Sequence, residues 1–261
     1  MDTSIKTSDI IQNLIKEIEK LEKEFSEILL NKKNTENELY LFKLDYDSKI
    51  APFYLKKLKI DAQIGEILKT RRISLERFEK DNGYQPEIID QEWFESQKEY
   101  FENQNTEREK IEENIKNMSE NDSVEFKKLY KKLAMKFHPD KFVWQQEKQQ
   151  KALELMKKIN NAFQEQDLDQ LQRIESEWFD LQDSTSWLDE NSLIMKKNDL
   201  EYHINNTKLD IEKIQISELY TLYLTYLAHW KDKFYLKIIE DAKNDIQEAT
   251  KLLQILKEMP L

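Results

Sequence analysis

Cysteine is absent from this chain of 261 residues, and glycine and proline are scarce, at two and four. Without cysteine there is no disulfide framework, no thiolate metal site and no cysteine nucleophile. Sheets need turns, and turns draw on glycine and proline. Their scarcity, with 36% charged residues rich in lysine and glutamate, predicts an all-α chain with long helices. Hydrophobic residues at 39% suffice for several helix seams but are lean for one large core, so an elongated form is expected. The first residues, Met1-Asp2-Thr3-Ser4-Ile5-Lys6, lack a basic stretch leading into an apolar one, so no secretory leader is expected. No apolar run approaches the roughly 18 residues of a membrane span. The expected compartment is the cytoplasm, with no membrane partner.

What is present is charge and helical period. The formal charge is −11, which disfavours general nucleic-acid binding. Ile11, Leu14, Ile18, Leu21, Phe25 and Ile28 alternate three and four residues apart, a heptad seam. Lys32, Lys33 and Asn34 interrupt it; Leu39, Phe42, Tyr46, Phe53, Ile60 and Ile67 continue its phase. Pro52 removes an i to i−4 hydrogen bond, so a kink or a new helix start is expected there. Residues 81–86 read as a loop, and residues 90–118 as a polar helix. Asp122 and Glu125 suggest a capping box for the next helix. Asp167 with Gln170 suggests the cap of a short helix through Leu181. Ser184, Thr185 and Ser186 form an expected linker. Residues 188–256 read as one long helix or a helical pair, with Asn205-Asn206-Thr207 as the weakest point for a turn. Three consecutive regions follow: an N-terminal arm over 1–80, a middle region over 87–183 with its core at 122–164, and a C-terminal arm over 187–261.

The chemistry-bearing segment lies in the middle. At 100° per residue, and with Lys127 at zero, Lys131, Lys128, Lys132 and Lys136 fall at about 40°, 100°, 140° and 180°. Phe126, Leu129, Tyr130, Leu133, Ala134 and Phe137 take the remaining arc. The apolar face can pack on Met156, Ile159 and Phe163 of the following helix. Two antiparallel helices then present His138-Pro139-Asp140 at their tip, which suggests a docking surface rather than a reaction centre.

Here the sequence resembles a family. Lys128-Leu-Tyr-Lys-Lys-Leu-Ala-Met-Lys-Phe-His-Pro-Asp-Lys141 is similar to the second helix and loop of the J domain of DnaJ-type co-chaperones. Met156-Lys-Lys-Ile159-Asn160-Asn-Ala162-Phe163 is similar to that domain's third helix. The match spans residues 122–164. It implies a J-domain-type helical hairpin flanked by long coiled-coil-like helices, docking on a DnaK-type (heat-shock-70) chaperone and stimulating its ATP hydrolysis. The implied partner-binding residues are Lys127, Lys128, Tyr130, Lys131, Lys132, Lys136, His138, Pro139, Asp140 and Lys141. Exposed lysines would steer toward an acidic partner surface. Pro139 would fix the backbone so that the Asp140 carboxylate reaches an arginine pre-organised. The chain itself would be no enzyme and hold no cofactor, since the partner would bind ATP and magnesium. The family's Tyr-Tyr-x-x-Leu-Gly first-helix signature is absent, with Ile111, Ile115 and Met118 as the expected substitute. A fourth-helix motif, a Gly/Phe-rich linker and a Cys-x-x-Cys zinc module are also missing.

The arms carry a weaker likeness. Glu38-Leu-Tyr-Leu-Phe42, Ile50-Ala-Pro-Phe-Tyr-Leu55 and Ser217-Glu-Leu-Tyr220 resemble helical extensions of some bacterial J-domain proteins. The arms are expected to pack on one another, or to support a homodimer or larger helical assembly, and to select a client or complex. The rival expectation is a scaffold protein in which the hairpin is only an interaction module. Trp178, Trp187, Trp230, Tyr220, Tyr223 and Tyr226 sit at helical spacing and read as seam or core. His203 and His229 lack a second ligand at metal-binding spacing, and no enzyme constellation is legible.

Overall fold

The computed structural model describes residues 2–139, 146–177, 190–229 and 231–259. Among them are nine helices and no strand: α1 (Asp2–Thr70), α2 (Leu75–Asn82), α3 (Gln91–Asn117), α4 (Glu120–Lys136), α5 (Gln146–Gln164), α6 (Leu168–Glu177), α7 (Glu190–Gln215), α8 (Glu218–Ala228) and α9 (Lys231–Glu258). The fold class is all-α. Asp140, Lys141, Trp178, Leu181, Ser184, Thr185, Ser186, Trp187 and Trp230 lie outside the described residues. No described helix is long and apolar enough to cross a membrane.

α1 runs unbroken for 69 residues, through both Lys32-Lys33-Asn34 and Pro52. The expected new start at Pro52 does not occur. Pro52 is exposed, so water can reach the Ser48 carbonyl that loses its amide partner. Ala51 and Leu58 on either side are buried and hold the helix in place. The predicted loop at 81–86 begins later, at Gly83. Asp81 and Asn82 complete α2, and Gly83 caps it in the left-handed region at φ 65°, donating its amide to the Glu79 carbonyl at 2.7 Å.

The C-terminal segment is three helices. Asn205-Asn206-Thr207, the expected weak point, is helical within α7. Thr207 is buried, and its hydroxyl donates to the His203 carbonyl at 2.8 Å, so its polar atom is satisfied inside the helix. The break falls at Ser217, whose hydroxyl accepts from the Tyr220 amide at 3.2 Å and so caps α8.

The three consecutive regions expected from the sequence are not how the chain clusters. One unit joins Met1–Tyr40 to Lys110–Tyr220, and a second joins Leu41–Glu109 to Thr221–Leu261. In a long helix, successive stretches can meet different neighbours, and here the division falls within α1, α3 and α8.

In the first unit, the heptad row of α1 meets α7. Ile18 and Phe25 pack with Leu193, Leu200 and Ile204, and Ile11, Leu14, Leu21 and Ile28 flank them. Ion pairs Glu17–Lys197 (2.7 Å), Glu24–Lys208 (3.0 Å) and Lys32–Asp210 (2.9 Å) rise together along both helices, so the pairing is parallel.

In the second unit, Ile64 and Leu68 of α1 pack with Ala249, Leu253 and Leu256 of α9 and with Phe78 and Tyr84. Phe42, Tyr46, Tyr226, Phe234 and Tyr235 form an aromatic cluster. Here α1 is covered on more than one side. The fully buried apolar positions are Leu44, Leu58 and Ile64, while Phe53, Ile60 and Ile67 of the expected row are only half-buried.

Two tyrosines of this unit donate to carboxylates: Tyr84 to Asp61 at 2.5 Å and Tyr235 to Asp45 at 2.8 Å. Burial foremost, then the carboxylate each phenol faces, pushes both phenols well above their ordinary value. An unfolded chain loses these protons near pH 10 while the folded chain keeps them, so alkali favours unfolding. Stability is expected to hold up to about pH 10 and to fall progressively above it. Urea midpoints at about pH 8 and about pH 11 measure the fall, and Tyr84→Phe with Tyr235→Phe should flatten it.

Candidate functional site

The lysine-faced helix α4 starts two residues before the predicted cap. Ser119, extended at φ −75° and ψ 167°, accepts from the Asp122 amide at 3.2 Å. Asp122 returns the bond by accepting from the Ser119 amide at 3.0 Å. The capping box is therefore Ser119 with Asp122, not Asp122 with Glu125. Its hydrogen bonds hold the Asp122 carboxyl below the ordinary carboxylate range. Glu125 instead accepts from the Gln172 side chain of α6 at 3.1 Å. The cap proposed at Asp167 is present: its carboxylate accepts from the Gln170 amide at 2.9 Å.

The apolar arc of α4 is buried. Phe126, Leu129, Tyr130, Leu133, Ala134 and Phe137 form one core with Ala152, Leu155, Ile159, Ala162 and Phe163 of α5, closed by Leu171 and Ile174 of α6. Phe126 stacks on Phe163 at 5.0 Å between ring centroids, and Tyr130 lies 4.2 Å from the same ring. Contacts of residue 126 with 163 and of residue 130 with 160 set α4 and α5 antiparallel. Met118 joins this core, and Ile111 is fully buried, while Ile115 is 45% exposed. The proposed substitute for the missing helix is therefore only partly assembled around the hairpin.

The polar arc splits. Lys127, Lys128 and Lys132 are exposed, and Lys132 pairs with Glu175 of α6. Lys131 is half-buried, its ammonium 3.4 Å from Glu27 of α1. Lys136 is half-buried, with its ammonium 5.0 Å above the Phe137 ring. Tyr130, a partner-binding residue by the resemblance, keeps to the apolar arc and does not join the lysines. It is 3% exposed and donates to Asn160 at 3.2 Å, because its place on the helix faces the Phe163 ring. Burial, reinforced by the charge of Glu36, pushes its phenol well above the ordinary value.

α4 ends at Lys136 and is capped by Phe137, whose amide donates to the Leu133 carbonyl at 2.9 Å. His138 and Pro139 follow, both half-buried. The His138 ring meets Phe25 of α1 edge-on at 5.2 Å and His203 of α7 at 6.1 Å. Met135 packs on the same α1–α7 seam, and Leu30 of α1 packs on the hairpin core. The sequence offers no sign of this junction. Phe25 is legible as a seam residue but not as the neighbour of His138, and neither Glu27 nor His203 carries a signal of its own. Among the described residues no group of three His, Asp or Glu is placed to hold a metal ion. His229 bonds its own helix, with Nδ1 at 2.9 Å from the Thr225 carbonyl.

No protein-family model, curated protein or solved structure matches the chain. The functional reading therefore rests on the hairpin itself.

Proposed function

We propose that this chain is a J-domain-type co-chaperone. In this reading the α4–α5 hairpin docks on a DnaK-type (heat-shock-70) chaperone and speeds that partner's ATP hydrolysis. The observation that carries the reading is the division of α4. Its apolar arc is committed to α5 and α6, while Lys127, Lys128 and Lys132 remain exposed on a helix that leads directly into His138-Pro139. A face of this kind attracts an acidic surface and raises the rate of encounter more than the affinity. Asp140 is the recognition residue, offering an arginine a charge-assisted contact. Lys136 continues the basic arc of α4, Lys141 is a further partner-binding residue that the family resemblance implies, and the bond cleavage belongs to the partner, which binds ATP and magnesium.

The test is single-turnover ATP hydrolysis by a purified DnaK-type chaperone with and without the full chain. The wild-type chain is expected to raise the rate, and Asp140→Asn to return it to the chaperone's basal value. Equal stimulation by the two chains overturns the mechanism.

A second reading, an interaction scaffold, has its own observation. Met195, Tyr202 and Leu209 recur seven residues apart on α7 and are each more than half exposed, a row that suits a partner helix. Sedimentation and partner capture separate the readings. A stoichiometric complex indifferent to Asp140→Asn, with no effect on ATP hydrolysis, favours the scaffold.

A further inference from the structure

The face that the hairpin would dock with is not wholly open. Four contacts from outside the hairpin fall on residues 131–138. Phe25 of α1, itself 4% exposed, covers one side of His138 at 5.2 Å, and His203 of α7 stands at 6.1 Å on another. Glu27, two residues on in α1, takes the ammonium of Lys131 at 3.4 Å. Met135, one turn before the loop, is drawn into the α1–α7 seam. Lys127, Lys128 and Lys132 lie away from these contacts and stay exposed.

We propose that α1, backed by α7, is an autoinhibitory cover for the docking face: Phe25 and His203 hold His138 against the seam, and Glu27 neutralises Lys131. The proposal rests on the docking reading above and adds its regulation. A partner reaching the covered chain meets the exposed lysines first, so encounter proceeds. Full engagement of His138 and Lys131 requires the Phe25 and Glu27 contacts to part. The ion pair is half-exposed and the ring contact is one edge of a larger seam, so the cover opens at modest cost. A ligand or client that binds α1 better when it is lifted from α4 would switch the co-chaperone on, by its differential affinity for the two states.

The test uses the full chain and two substitutions outside the docking face, Phe25→Ala and Glu27→Gln. Glu27 is surface-exposed and its replacement leaves the core intact, so the pair stays informative if Phe25→Ala folds poorly. Two readouts are taken: amide hydrogen exchange over residues 131–139 in the isolated chain, and single-turnover ATP hydrolysis by a DnaK-type chaperone at limiting chain concentration. Both variants are expected to exchange faster there and to stimulate roughly two- to fivefold more than wild type, the range for losing one half-exposed contact. The gain should vanish when Asp140→Asn is added.

Faster exchange with unchanged stimulation overturns the cover and leaves the docking reading standing. Unchanged exchange overturns it as well, because the contacts then do not hold the loop. A gain that survives Asp140→Asn also overturns it. Stimulation by none of the chains overturns the docking reading, and the cover with it.

Discussion

Phe163→Ala is expected to cost about 3–5 kcal/mol, the range for removing a fully buried aromatic ring. Phe163 is 1% exposed and sits where three elements converge. It stacks on Phe126 at 5.0 Å, meets Tyr130 at 4.2 Å, and belongs to the core that α6 closes with Leu171 and Ile174. Truncation leaves a cavity that the two partner rings cannot both fill, since they come from one rigid face of α4. The consequence reaches function through geometry. The rotation of α4 about its axis decides whether Lys127, Lys128 and Lys132 face outward, and the Phe126–Phe163 stack fixes that rotation. Urea denaturation should show a lower midpoint, and hydrogen exchange should show lost protection concentrated in α4 and α5. Phe163→Leu keeps an apolar side chain and should cost clearly less. Equal stability of the Ala variant would mean that the hairpin is held by something other than this core.

Asp61→Ala carries the second large effect, about 3–5 kcal/mol, the range for removing one member of a buried, hydrogen-bonded charge cluster. Asp61 is fully buried within the second unit. One oxygen accepts from the Tyr84 hydroxyl at 2.5 Å; the other accepts from Lys57 at 2.6 Å and from the Glu87 amide at 3.3 Å. The carboxylate thereby ties the segment after α2 to α1, one turn from Lys57. Its loss strands a buried hydroxyl and a backbone amide and leaves the half-buried Lys57 ammonium with only Glu87 at 3.6 Å, so the cost exceeds that of a single hydrogen bond. Asp61→Asn keeps an acceptor for Tyr84 and should fall between wild type and Ala. The urea midpoint measures all three chains, and a loss below about 1 kcal/mol for Ala would show that water replaces the carboxylate at this site.

These two residues mark the limits of what the chain spells out. Phe163 was legible, because its spacing from Met156 and Ile159 repeats the helical period of an apolar face. Asp61 was not, since nothing in its neighbourhood separates it from the many exposed carboxylates of an acidic chain. The same contrast holds for helix ends. Asp167 caps α6 as its spacing with Gln170 suggests. Ser119 is hard to tell from Asp122 as a cap, because Ser-x-x-Asp and Asp-x-x-Glu stand overlapped in the sequence and local pattern alone does not rank them. Asn205-Asn206-Thr207 is deceptive for a related reason. Polar composition favours a turn there, yet Thr207 follows Leu193 and Leu200 at intervals of seven, and burial against α1 keeps the segment helical.

The sequence by itself determined that the protein is all-α, that α4 carries lysines on one arc and apolar groups on the other, and that a matching face follows in α5. These are properties of a helix taken alone, set by side-chain type and a period of 3.6 residues. Tertiary structure decided which surfaces those faces meet. It placed Phe25 and His203 around His138 and gave Lys131 to Glu27. Periodicity states that a face is apolar without naming its partner, and a contact across more than a hundred residues of chain leaves no local trace. The lysine face was therefore readable in advance, whereas its partial cover was not.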